Sequence, residues 1–126
     1  MKKHILLIDN DEQELDYFLD ALRNVPEEDG FKCTYARSVR EAMSLLKKLV
    51  PHVIFVDGKL PIAETKYMLQ RIKDHLHLRD VKIFLYSCVD DTQPPSPTIS
   101  LGLSGWVERS KSAQKLGRRI ASCLAD

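Results

Sequence analysis

Short, unbroken apolar runs recur along the chain, and between them the apolar positions shift to a helical spacing. Ile5 to Ile8 is the first run, and Asp9 follows it directly. Leu15, Phe18, Leu19 and Leu22 then fall at i, i+3, i+4, i+7, which predicts one buried face of a helix. Phe31 to Ala36 reads as a second strand, entered through Asp29-Gly30. Ser38 followed by Glu41 is a capping box opening a second helix, with Val39, Ala42, Met43, Leu46 and Leu49 inward and Pro51 as its stop. "HVIFVD" (52–57) is a third strand, and residues 64–78 read as a helix with Leu69, Ile72 and Leu76 inward. "VKIFLYS" (81–87) and "SGWV" (104–107) are further strands, and residues 112–124 read as a last helix on Leu116, Ile120 and Leu124. Strands that are apolar at consecutive positions bury both faces, so the alternation predicts a parallel sheet covered on two sides. The expected architecture is a three-layer α/β/α sandwich with five strands. The rhythm breaks at "DDTQPPSPTISLG" (90–102), where Pro94, Pro95 and Pro97 leave a shortened fourth helix or a loop.

Composition narrows the class without deciding it. The 126 residues fit one domain, with no linker or repeat, so a single unit over 1–126 without an output domain is expected. A net charge of +1 gives no global electrostatic case for nucleic acid or a membrane surface. Basic residues gather late, at Arg109, Lys111, Lys115, Arg118 and Arg119, which reads as the solvated face of the last helix. Cys33, Cys88 and Cys123 are odd in number and lack CxxC spacing, which argues against a disulfide framework or a zinc site. With no apolar run of membrane-spanning length, a cytoplasmic protein is the default expectation.

The strand ends carry the candidate chemistry. In open parallel sheets, ligands sit beyond the carboxyl ends of the strands. Strand one ends in Asp9 and Asn10, strand three in Asp57 and strand four in Ser87, while strand five runs on to Arg109. Two carboxylates held close raise each other's pKa unless a cation sits among them, and a hard, oxygen-liking divalent ion such as Mg²⁺ is a natural solution.

These residues resemble the receiver domain of bacterial two-component response regulators, over essentially the whole chain. "ILLIDND" is similar to the family's first strand with its acidic pair, and "HVIFVDGKLP" to the third strand, phosphoacceptor aspartate and following proline. "IFLYS" ends at the family's Ser/Thr position, and "GLSGWVERS" is similar to the last strand with its aromatic switch. The resemblance implies a flavodoxin-like, CheY-like (βα)5 fold with strand order 2-1-3-4-5. It implies Asp57 as phosphoacceptor from a histidine kinase or phosphotransfer protein. Mg²⁺ would be held by Asp9, Asn10, Asp57 and the backbone carbonyl of Lys59. Ser87, Trp106 and Arg109 would be the phosphoryl-contacting and switch positions, and the output would be contact with a downstream protein rather than enzymatic turnover.

The departures are specific. Asn10 stands where the family usually has a second acid, Arg109 and Ser110 stand at its Lys-Pro, and "PIAET" lacks the usual glycine. Asn10, Arg109 and the proline-rich loop favour an alternative: a pseudo-receiver that binds partners without being phosphorylated. A haloacid-dehalogenase-type phosphatase would need Asp-x-Asp-x-Thr/Val, and "DNDEQ" carries Gln13 at the last place. A calcium loop fails on its missing glycine. Asp11 reads as a helix cap. His75 and His77, two apart, would point to different faces of a helix.

Overall fold

The computed structural model describes residues 2–27, 30–87 and 102–124. Strands β1 (Lys3–Ile8), β2 (Phe31–Ala36), β3 (Val53–Asp57), β4 (Lys82–Ser87) and β5 (Gly105–Glu108) form one sheet. All neighbouring pairs are parallel and the order is β2-β1-β3-β4-β5, as expected from the resemblance. Among the described residues the helices are α1 (Glu12–Leu22), α2 (Val39–Leu45), α3 (Ile62–Asp74) and α4 (Ala113–Leu124). The proline-rich stretch, with its expected shortened helix, lies outside the described residues up to position 101, as does Cys88.

Successive strand residues point to opposite faces, so the continuous apolar runs feed two cores. Leu6, Ile8, Ile54, Val56, Ile83 and Leu85 pack with α2 and α3 residues such as Ala42, Met68 and Ile72. Ile5, Leu7, Phe55, Phe84 and Tyr86 pack on the other face with Phe18 of α1 and with Leu116 and Ile120 of α4. Phe18 is the hub of that second core, meeting Phe55 at 5.2 Å and Tyr86 at 5.6 Å, both edge-on.

The helix starts follow their caps. Asp11 accepts from the N–H of Gln13 at 3.0 Å and opens α1, and Ser38 accepts from the N–H of Glu41 at 3.1 Å and opens α2. The third helix departs from the expected span of 64–78. It begins at Ile62, directly after Pro61, whose fixed φ suits the entry to a helix, and it ends at Asp74. His75 then turns extended and Leu76–Leu78 form a separate 3-10 turn. That break brings the His75 and His77 rings to 5.5 Å, where an unbroken helix would separate them. α1 and α4 approach closely at Gly117, where a Cβ would sit 2.8 Å from the carbonyl oxygen of Ala21.

Candidate functional site

Because every strand runs the same way, β1, β3, β4 and β5 deliver their ends to one edge of the sheet. Asp9 follows β1 and is fully buried; Asp57 closes β3 at 2% exposure. Arg109 follows β5, its N–H donating to the carbonyl of Ser87 at 2.6 Å, which extends the β4–β5 ladder by one step. That step aims the guanidinium back over the sheet edge. Nη1 reaches Asp9 Oδ2 at 2.7 Å and Glu14 Oε2 at 3.3 Å, and Nη2 donates to Asp57 Oδ1 at 2.5 Å. The Asp9 contact is an ion pair without the alignment of a hydrogen bond. The Arg109 side chain is only 6% exposed, so one fork of positive charge lies among three carboxylates almost out of water.

The remaining contacts hold this arrangement in place. Asp9 Oδ1 accepts from the N–H of Asp11, and Asp57 Oδ1 also accepts from the N–H of Lys59 at 2.8 Å. The Tyr86 ring lies under the guanidinium, 4.2 Å from its carbon, and the Tyr86 hydroxyl donates to Glu14 Oε2 at 3.2 Å. Tyr35 donates its hydroxyl to the Asp9 carbonyl at 2.6 Å. Among the described residues, Asp57 Oδ2 has no hydrogen-bond partner.

Electrostatics follow from burial against pairing. Burial pushes the Asp9 carboxyl above its ordinary value, opposed by the Asp11 N–H and by Arg109. Burial likewise disfavours the Arg109 charge, but Asp9, Asp57 and Glu14 outweigh it and hold the guanidinium protonated. Burial and the Glu14 carboxylate raise the Tyr86 hydroxyl, which therefore stays a donor.

Of the residues singled out from sequence, the structure brings Asp9, Asp57 and Arg109 together. Lys59 borders them through its amide N–H. Ser87 is buried beside Gly58, where an added Cβ would lie 3.5 Å from its hydroxyl oxygen. Asn10 is exposed, and Trp106 is 37% exposed on the edge strand β5. Glu14 and Tyr86 are the members that the sequence reading missed. Asp11 caps α1 at an exposed position.

No family model and no curated protein matches the chain. Solved structures do. A putative response regulator from Chloroflexus aurantiacus is 20% identical, with 100% of each chain covered and a TM-score of 0.79. The chemotaxis response regulator CheY4 of Vibrio cholerae is 15% identical, covering 97% of this chain and 98% of its own at a TM-score of 0.77. The fold is that of CheY-like response regulator receiver domains. The response regulator Rcp1, in its Mn²⁺-bound form, has the same receiver fold at 16% identity, with 95% and 90% coverage and a TM-score of 0.69.

The metal implied by the receiver fold meets a changed donor set here. A divalent ion needs carboxylate oxygens free to face it. Arg109 spans Asp9 Oδ2 and Asp57 Oδ1 and leaves Asp57 Oδ2 without a hydrogen-bond partner among the described residues, while Asn10 offers a neutral amide where a charge is usual. Among the described residues, no three His, Cys, Asp or Glu side chains are grouped to hold a metal ion. The positive charge that faces these carboxylates here is the Arg109 guanidinium.

Proposed function

We propose that the chain is a receiver-fold signalling module that works by binding another protein, with Arg109 as the resident cation of its acidic crevice. The observation that carries this reading is the Arg109 fork spanning Asp9 and Asp57 at 6% exposure. Phosphoryl transfer to a carboxylate depends on positive charge that is free to meet the incoming phosphoryl oxygens. Here the positive charge faces the carboxylates themselves. On this reading the module is phosphorylation-independent and signals through the surfaces that its helices display.

One observation supports a second reading, in which Asp57 is the phosphoacceptor for a histidine kinase or phosphotransfer protein. Its Oδ2 is without a partner among the described residues and would form the bond to phosphorus as the P–N bond of the donor's phosphohistidine breaks and the imidazole nitrogen leaves. Arg109 would then turn its fork from carboxylate to phosphoryl oxygens, a geometry that guanidinium serves well.

Intact mass after incubation with acetyl phosphate, with and without Mg²⁺, separates the two, with Asp57→Ala alongside. The expected result is no adduct on the wild type under either condition. One phosphoryl adduct under either condition, absent from Asp57→Ala, would establish the phosphoacceptor and overturn the first reading.

A further inference from the structure

On the face opposite α1 and α4, the two helices α2 and α3 enclose a groove of about 790 Å³ that the crevice does not use. Its floor is apolar: Leu46 and Leu78 are buried, Met43 is half-buried, and Tyr67 leaves 54% of its surface in water. The rim is basic. Arg40, Lys47 and Arg71 line it, all exposed, and Glu64 is the one acid among the lining residues. None of those three cations is in an ion pair among the described residues, and Arg71 instead lies over the Tyr67 ring at 5.9 Å.

We propose that this groove docks an acidic amphipathic helix of a partner protein, its apolar stripe on Met43 and Tyr67 and its carboxylates on Arg40, Lys47 and Arg71. The occupant is helical because the walls are helices. The edge strands of the described sheet are β2 and β5, so an extended peptide would find no backbone ladder between α2 and α3. α3 has 13 residues, which at 1.5 Å each accommodates a helix of about 13 residues, three to four turns long. Charge complementarity sets the sign, since unpaired cations around an apolar floor favour acidic flanks and disfavour basic ones. Among the described residues, a second copy of the chain does not supply the occupant. Its acidic helix, α1, turns Phe18, Ala21 and Leu22 into its own core.

This inference rests on the protein-binding reading above and is tested apart from the crevice. The probe is a fluorescein-labelled peptide of about 14 residues, with Leu at i, i+3, i+4 and i+7 and Glu on its flanks. A twin with Lys for every Glu is the control. Anisotropy is expected to show saturable binding of the Glu peptide alone, weakening between about 50 and 300 mM salt. The exposed double variant Arg40→Glu/Arg71→Glu should bind it about tenfold more weakly, and Tyr67→Ser should also lose affinity. Circular dichroism checks that both variants stay folded. Equal binding of the Lys twin, unchanged binding by the variants, or no binding of either peptide would each overturn the proposal. So would dimerisation in sedimentation that Arg71→Glu abolishes, or saturation by a small apolar dye in place of the peptide. A phosphoryl adduct on Asp57 beside intact peptide binding would remove only the crevice reading.

Discussion

Arg109 is one side chain with three carboxylate partners, and its removal would strand them. A buried ion pair is weak evidence for net stability, but deleting one partner leaves uncompensated charge. Arg109→Met is therefore expected to lower stability by about 3–5 kcal/mol at pH 7, roughly 4 °C of melting temperature per kcal/mol for a domain of this size. Arg109→Lys, which keeps a charge, should lose less. The pH dependence has a definite sign. Asp9 has a raised folded pKa, so its favourable contribution is complete below its unfolded value near 3.8 and is lost as pH rises through the folded value. Without Arg109 that folded value climbs further and the loss reaches closer to neutrality. Differential scanning fluorimetry should show Arg109→Met recovering stability as pH falls from about 7 to about 5, with a smaller change in the wild type. Asp9, Asp57 and Arg109 were legible in sequence because each ends or follows an apolar strand whose direction the parallel sheet dictates. Glu14 was visible only as one acid in a crowd, since its reach to the crevice depends on where α1 sits. Tyr86 was hidden inside an apolar run, paired in register with Asp57, with nothing to mark its hydroxyl.

At the scale of elements, α1 and α4 approach closely, and Gly117 is what admits the approach. Alanine at an exposed helical glycine usually stabilises by about 1 kcal/mol. Here the added methyl would meet the Ala21 carbonyl at 2.8 Å and Asn24 Cβ at 3.1 Å, so something must shift. Gly117→Ala is expected to destabilise by about 1–3 kcal/mol instead, read from urea midpoints at unchanged slope. A gain in stability would mean that the two helices separate at little cost. The caps at Asp11 and Ser38 were readable because a short polar side chain before an apolar face has one main use there. The end of α3 was not. No glycine or proline marks Asp74 or His75, and the break owes its place to Leu78, buried at 1% exposure under α3 and the sheet.

At the scale of the molecule, the two cores and one charged edge divide the labour. Continuous apolar strands made the covered parallel sheet legible, and the order of the strands came from the resemblance, since periodicity does not rank neighbours. The stretch from 88 to 101 disrupts the pattern in sequence and lies outside the described residues. With Arg109 in the crevice, Mg²⁺ at about 10 mM should leave the melting temperature within about 1 °C. A native-state site with a dissociation constant near 0.1 mM would add about 2.7 kcal/mol at that concentration, so a rise of several degrees would refute the internal-cation assignment. Trp106 is the chain's only tryptophan, half in water, and it sits three residues before Arg109 at the edge of the sheet. Withdrawing the guanidinium from the carboxylates would pull on the same short strand, whose next residue is tied to Ser87. Emission from that one indole, free of any label, is therefore expected to differ between Arg109→Met and the wild type.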